Sequence, residues 1–205
     1  MKKVVLIGDS IRQIGYGAPV AKRLSDEFEV WQPDDNCRFA KYTLRGLWDW
    51  QEGIRGADII HWNNGLWDVC SLFGDGEFTP VEEYVQIMLR LASLFLQRAR
   101  VVIFATTTPV RPENPHNKNE TIKAYNEALI PKLRELGVVI NDLYTPLAED
   151  VYRFISDDLI HLSDEGISLA AGLVESVIRT EAEKLSDAEK EAHSEAEKRD
   201  LGAPV

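Results

Sequence analysis

Cysteine is scarce in this chain: Cys37 and Cys70 are the only two among 205 residues, and they lack Cys-x-x-Cys spacing. A chain of this size need not rest on a disulfide framework, so the pair reads as buried free thiols rather than as a bridge or metal ligands. Basic clusters are lacking too. Lys and Arg number 23 against 34 Asp and Glu, a formal net charge of -11, and no compact Lys/Arg patch is visible. Neutralising phosphates takes a basic face, so the expectation is no nucleic-acid partner and no anionic membrane surface. Long hydrophobic runs are absent as well. Val4-Val5-Leu6-Ile7 follows Met1-Lys2-Lys3 but stops at Gly8-Asp9, too short for the apolar region of a secretion signal, and no later stretch would span a bilayer. A cytoplasmic location is expected. The first apolar run is not followed by a Gly-x-Gly-x-x-Gly turn, Ser10 is not in a Gly-x-Ser-x-Gly elbow, and no His/Cys/carboxylate group has metal-ligand spacing. No cofactor and no metal are therefore expected.

What is present is enough apolar residue for one sizeable core, 44% of the chain, in a length that favours one domain. Short β-branched runs alternate with segments of helical period. Val4 to Ile7, Phe28 to Trp31, Ile59 to Trp62, Val101 to Phe104 and Val138 to Ile140 read as strands without polar alternation, as in a parallel sheet covered on both faces. Between them Ala18 to Phe28, Thr43 to Ile54, Val81 to Arg98 and Lys118 to Leu136 are each long enough for a crossover helix. In the second of these, Leu44, Leu47, Trp48 and Gln51 share one face at helical spacing and Gly56 is placed to end it. The predicted fold class is α/β, a three-layer α/β/α sandwich of flavodoxin-like type around a five-stranded parallel sheet. In such sheets ligands sit beyond the C-terminal ends of the strands, where Ser10, Asn63-Asn64 and Thr106 to Pro109 fall.

The last core helix starts near Ser163, a good N-cap, and carries Ile167, Ala170, Ala171, Val174, Val177 and Ile178. From Glu181 to Asp200 the chain is nearly all Glu, Lys, Asp and Ala, with Leu185 its only large apolar side chain. The division expected is a globular domain over 1–180 and a charged, helical or frayed tail over 181–205 that cannot join the core. Leu185, Ala188 and Ala192 give the competing reading, an oligomerisation helix, so a homo-oligomer stays open.

Chemistry is concentrated in two patterns near the ends, Gly8-Asp9-Ser10 and Asp158-Leu159-Ile160-His161. A serine hydroxyl is a weak nucleophile until a base takes its proton, and an imidazole does so well only when a third group fixes its tautomer. The three residue types that this logic demands are present. Taken alone, Ser10 reads as a helix cap and His161 as a surface residue. A carboxylate three residues before His161 can nonetheless reach Nδ1 and leave Nε2 facing Ser10, with Asp157 as a competing carboxylate.

In these blocks the chain resembles the SGNH, or GDSL-type, hydrolases, from Lys3 to about Ile178. The family's serine block matches Gly8-Asp9-Ser10 with Ile11 and Gly15-Tyr16-Gly17. Its Asp-x-x-His block matches Asp158 to His161 with Gly166 beyond, and its asparagine block matches His61-Trp62-Asn63-Asn64-Gly65. The resemblance implies a serine esterase acting through an acyl-enzyme, with catalytic Ser10, His161 and Asp158 and an acyl ester as small-molecule partner. It implies an oxyanion hole of Ser10 N–H, the Asn64 side chain and a backbone N–H after the second strand. The family's glycine is missing there, in Asn36-Cys37-Arg38-Phe39-Ala40-Lys41-Tyr42-Thr43, so Lys41 or Ala40 would serve instead. The usual Gly-x-Asn-Asp is also replaced, which keeps Asn63 as an alternative to Asn64. Asp9 is expected to order the turn.

Short acyl esters or acetylated carbohydrates are the expected substrates, because no long apolar lid is evident. Trp62 and Trp67 read equally as pocket or core; Trp31, Trp48 and Trp50 read as structural; His61 reads as a satisfied core histidine, and His193 falls in the tail. Arg111 and His116, in the proline-rich loop after Thr106 to Pro109, read as solvated, with lining the mouth of the site as the competing reading. The competing functional readings are a flavodoxin-like ligand-binding module without hydrolysis and a partner-binding protein; missing phosphate-loop glycines speak against the former.

Overall fold

A computed structural model describes the backbone of residues 1–201 and the side chains of residues 1–186 and 188. Its sheet consists of β1 (Lys2–Gly8), β2 (Phe28–Trp31), β3 (Ile59–Asn63), β4 (Val101–Ala105) and β5 (Val139–Asn141). All pairs are parallel and the order is β2-β1-β3-β4-β5, the flavodoxin-like order expected. β1 and β3 are central, paired from Val4↔Ile59 to Gly8↔Asn63. Val4 to Ile7 and Ile59 to Trp62 are buried throughout, which is why these runs carry no polar alternation. Helices α1 (Gly17–Leu24) and α8 (Asp164–Leu201) pack together on one side. On the other lie α2 (Ala40–Asp49), α4 (Val81–Leu96) and α5 (Asn119–Glu135). The centre of the second side is aromatic: the Trp62 ring lies 5.2 Å from that of Phe95 on α4 and 4.9 Å from that of Phe104 on β4.

The segment expected as one helix from Thr43 to Ile54 is two, α2 and α3 (Gln51–Ile54), separated at Trp50. Its buried face differs from the expected one: Ala40, Thr43, Gly46 and Leu47 face inward, Gln51 is exposed and Trp48 is 70% exposed. The small residues decide this. A Cβ at Gly46 would stand 2.3 Å from the Trp50 ring, so the indole folds back over the glycine and sets the helix rotation. Gly56, at φ +73°, follows the end of α3 as expected.

Three short pieces escape the periodicity of the sequence. Ile11–Tyr16 is a wide, π-type helical turn interrupted at Gly15, and α6 (Tyr144–Ala148) and α7 (Val151–Phe154) fill the path from β5 to α8. One turn of helix is too short to display a 3.6-residue pattern.

The composition change at Thr180 is not a boundary of the fold, which corrects the expectation that nothing beyond it joins the core. α8 runs through Thr180 unbroken, Glu181 and Ala182 are buried, and Leu185 packs against the core. Lys2 Nζ donates to Ser186 Oγ over 2.8 Å, tying this turn to the start of β1. The side chains of Ala192 and His193 lie outside the described residues. No helix among the described residues is long and apolar enough to cross a membrane.

Candidate active site

Two residues past the end of β1, Ser10 starts the wide turn, with helical φ and ψ of -61° and -26° and no hydrogen bond from its side chain to the turn. The N-cap reading therefore has no support in the geometry. Asp9 performs the capping, its Oδ1 accepting from Ile11 N–H at 2.9 Å and from Asn63 Nδ2 at 2.7 Å. Asn63 Oδ1 accepts in turn from the buried Tyr16 hydroxyl at 2.7 Å. A Cβ on Gly8 would stand 2.0 Å from that Asn63 oxygen, so only glycine lets the two strand ends approach this closely. Beneath the turn, buried Arg12 reaches the carbonyls of Gly8 at 3.2 Å, Pro33 at 2.8 Å and Asp35 at 2.5 Å. Burial pushes the Asp9 carboxyl up to about 6, against the hydrogen bonds from Ile11 and Asn63 and the charges of Arg12 and His161.

The other half of the site is a closed loop. Ile155 and Leu162 form an antiparallel bridge, and Ser156 N–H donates to the His161 carbonyl at 2.7 Å. Within it Asp158 Oδ2 accepts from His161 Nδ1 at 2.7 Å. Asp158 Oδ1 accepts from the Ser156 hydroxyl at 2.7 Å, Ile160 N–H at 3.0 Å and His161 N–H at 2.9 Å. Desolvation opposes ionisation here, but the bonds from the His161 and Ile160 amides, the imidazole and Ser156 outweigh it and hold the carboxyl well below the usual range. The competing carboxylate, Asp157, faces away, fully exposed and 2.9 Å from Arg111. Leu162 and Ile167 pack against Gly15, within 3.6 and 3.9 Å of where its Cβ would be, which brings the His161 loop onto the turn that starts with Ser10.

The loop after β2 closes the third side. Cys37 N–H donates to the Gly8 carbonyl at 3.1 Å, and Gly8 N–H to Cys37 Sγ at 3.4 Å. Burial pushes that thiol up to about 11; Cys70 is free too, but only part-buried, against expectation. At the start of α2 the four amides divide clearly. Ala40 N–H goes to both oxygens of Asp68, at 3.0 and 3.2 Å, and those of Tyr42 and Thr43 go to the Phe39 carbonyl. Of the four, only Lys41 N–H has no acceptor among the described residues, while its Nζ pairs with Glu83 at 2.6 Å in solvent. Asn64, buried, accepts from Thr43 Oγ1 at 3.1 Å and spends one of its two side-chain N–H groups on the Arg38 carbonyl at 2.8 Å. One donor remains. Asn63 likewise spends one side-chain N–H, on Asp9, while its oxygen accepts from Tyr16, so it too keeps one; what separates the pair is that Asn63 braces the serine turn and Asn64 joins the loop after β2.

Several residues to which the sequence reading gave no role support this arrangement. Tyr16, Arg12, Thr43 and Asp68 are all buried polar residues whose partners come from other segments. Only polar residues lying in or beside the blocks hinted at them. Burial pushes the Asp68 carboxyl up to about 7 despite hydrogen bonds from Thr79 and Ala40. Of the two tryptophans read as pocket or core, Trp62 is core and Trp67 is 40% exposed just past Asn64. His61 is buried and held neutral by desolvation, its pKa lowered to about 3; Nε2 meets Asn141 at 3.2 Å, whereas Nδ1 has no partner among the described residues, so it is a core histidine only half satisfied by them. Arg111 does not sit in a solvated loop: its side chain is 16% exposed and turned onto the 155–161 loop. His116 Nδ1 meets the Ser71 carbonyl at 3.2 Å instead of lining the site.

No protein-family model matches the chain. Among curated proteins it is similar to GDSL esterase/lipase CPRD49 of Arabidopsis thaliana, 31% identical over 209 aligned positions that cover 86% of this chain and 78% of the relative. GDSL esterase/lipase WDL1 of Oryza sativa subsp. japonica is 25% identical, covering 85% and 75%. Among solved structures the fold is similar to that of the acetyl xylan esterase AlAXEase, with a TM-score of 0.72, 19% identity and coverage of 86% and 99%. It is also similar to that of Axe2, an acetylxylan esterase from Geobacillus stearothermophilus, with a TM-score of 0.67, 17% identity and coverage of 84% and 92%. With sequence similarity spanning most of both chains and a similar fold beneath it, this chain belongs to the GDSL esterase/lipase family of SGNH hydrolases and is a carboxylic ester hydrolase.

Proposed function

We propose that Ser10, His161 and Asp158 form a catalytic triad that hydrolyses short acyl esters, acetylated carbohydrates in particular, through an acyl-enzyme. Ser10 Oγ attacks the ester carbonyl as His161 Nε2 takes its proton; that proton then passes to the departing alcohol. A water deprotonated by the same nitrogen attacks the acyl carbonyl, and the acid leaves as Ser10 regains its proton. Asp158 fixes Nδ1 as the protonated nitrogen and stabilises the imidazolium. Ser10 N–H, Lys41 N–H and the remaining Asn64 N–H donate to the oxyanion. The observation that carries the reading is the 2.7 Å bond from His161 Nδ1 to an Asp158 whose other oxygen is locked by two backbone amides.

The substrate class is supported by exposure and by the neighbours. With 30% of the His161 side chain and 51% of that of Asp158 exposed, the dyad lies in an open setting. Such a setting suits a small acyl group on a bulky polar alcohol better than a long chain that must be buried. The structural neighbours named above are acetyl xylan esterases. A series of p-nitrophenyl esters together with acetylated xylo-oligosaccharides tests both parts. Acetate should be the best aryl ester, with kcat/KM falling as the chain lengthens, and a fluorophosphonate should label the native protein but not Ser10→Ala. Undiminished turnover in Ser10→Ala would overturn the mechanism, and a preference for octanoate the substrate class.

A further inference from the structure

The loop that carries Asp158 and His161 is exposed, and one of its residues, Leu159, sits at φ +76°, a backbone conformation that an L side chain adopts at a cost of about 1–2 kcal/mol. Something must hold it. Two residues from a different part of the chain reach its carbonyl, Asn114 through Nδ2 at 3.4 Å and Arg111, which alone of the two also grips the stem of the loop. Arg111 N–H donates to the Leu159 carbonyl at 3.0 Å, at the tip of the loop. Its Nε donates to the Ile155 carbonyl at 2.9 Å, at the stem, and its Nη2 reaches the Tyr152 carbonyl at 3.3 Å and Asp157 Oδ1 at 2.9 Å. Arg111 is itself mounted rigidly. Val110, before it, exchanges two hydrogen bonds with the Asn119 side chain at 3.0 and 2.8 Å, and Asn114, after it, accepts from the amides of His116 and Asn117.

We infer that Arg111 is a positioning residue of the esterase, whose guanidinium and amide together set the stem-to-tip spacing of the 155–161 loop and so the direction of His161 toward Ser10. This rests on the triad reading given above. The work is done by the fork, not by the charge. Asp157 is fully exposed, and an ion pair to such a partner is screened and worth little. The bond from the mostly buried guanidinium to the Ile155 carbonyl, by contrast, is the kind of planar contact that lysine cannot reproduce while also reaching Asp157. A small displacement of the base is enough to matter, since about 1 Å can cost 100-fold in rate.

Steady-state kinetics on Arg111→Met, Arg111→Lys, Asp157→Asn and Asp158→Asn test this, together with the double variant Arg111→Met/Asp158→Asn. Arg111→Met and Arg111→Lys are expected to lower kcat by about 10–100-fold with KM changed less than about twofold. Asp157→Asn should stay within about twofold of the native kcat. If Arg111 acts through the dyad, Arg111→Met should cost less than about threefold in the Asp158→Asn background, where the dyad is already broken. A general loss of stability would multiply through in both backgrounds. A downfield proton resonance of His161 Nδ1, expected in the native enzyme and lost in Asp158→Asn, should broaden or shift in the Arg111 variants. Native kcat in Arg111→Met or Arg111→Lys, or a full additional loss in the Asp158→Asn background, overturns the inference. If Arg111→Met does not fold, Arg111→Lys decides by the same two readings. An unimpaired Asp158→Asn enzyme would instead overturn the triad reading itself.

Discussion

At the residue scale, the site depends on buried polar groups sharing donors and acceptors among three segments, and single substitutions should separate chemistry from support. Asn64→Ala is expected to cost about 2–4 kcal/mol of transition-state stabilisation in kcat/KM, as removal of one oxyanion donor does. Lys41→Ala should change it little, because the backbone amide persists and the ammonium only pairs with Glu83 in solvent. Asn63→Ala should act differently, lowering thermal stability, since it strips partners from buried Asp9 and Tyr16 at about 1–3 kcal/mol for each group left unpaired. Thermal denaturation beside kinetics on the three variants distinguishes the roles.

The same scale yields a pH prediction. The Asp68 carboxyl is raised from 3.8 to about 7 and that of Asp9 from 3.8 to about 6, both by burial. Between the unfolded and folded values the native state keeps protons that the unfolded chain has released. Stability therefore falls as pH rises through that window, by an amount on the order of a few kcal/mol. Melting temperature measured across the window should decline in the native protein and decline less in Asp68→Asn. A melting temperature that rises from acid to neutral in the native protein and is unaltered by Asp68→Asn would show that these carboxyls are ionised in the fold.

At the element scale, the central strands were legible because burial on both faces demands uninterrupted β-branched and apolar residues, and Val4 to Ile7 and Ile59 to Trp62 display just that. The rotation of α2 was not. Period alone cannot tell which of two overlapping faces turns inward when a glycine, Gly46, has no side chain to register in the pattern and an aromatic ring fills its place. The tight junction of β1 and β3 is a further element-level property. Gly8→Ala should destabilise by about 1–3 kcal/mol, because its methyl would overlap the Asn63 oxygen and push apart the strand ends that carry Ser10 and Asn64. Kinetics and thermal melts should show both losses together; native values for both would mean that the junction yields without strain.

At the scale of the whole molecule, the candidate site and the turn of α8 just beyond Thr180 lie at opposite edges of the sheet. The turn of α8 beyond Thr180 meets Lys2 and lies beside Phe28, the starts of β1 and β2, whereas Ser10 follows the end of β1, about 20 Å along the strand direction. Truncation after Ser186 is expected to leave both melting temperature and kcat/KM near native. Truncation after Thr180 should lower the melting temperature by removing buried Ala182 and the Leu185 contact, while the folded fraction keeps its activity. Loss of turnover per folded molecule in either would tie the C-terminal helix to the site.

The sequence by itself determined the layer order, the family blocks and the Asp158–His161 pairing, because each follows from local periodicity or from residues three apart in one turn. Which amide at the start of α2 stays free, that Asn63 braces the serine turn while Asn64 ties to Arg38 and Thr43, and that Arg111 grips the loop beside His161 are settled only in three dimensions. These outcomes depend on how hydrogen-bond partners are shared between segments distant in the chain. Once Asp68 has taken the amide of Ala40, that donor is no longer available, and no local pattern records the competition.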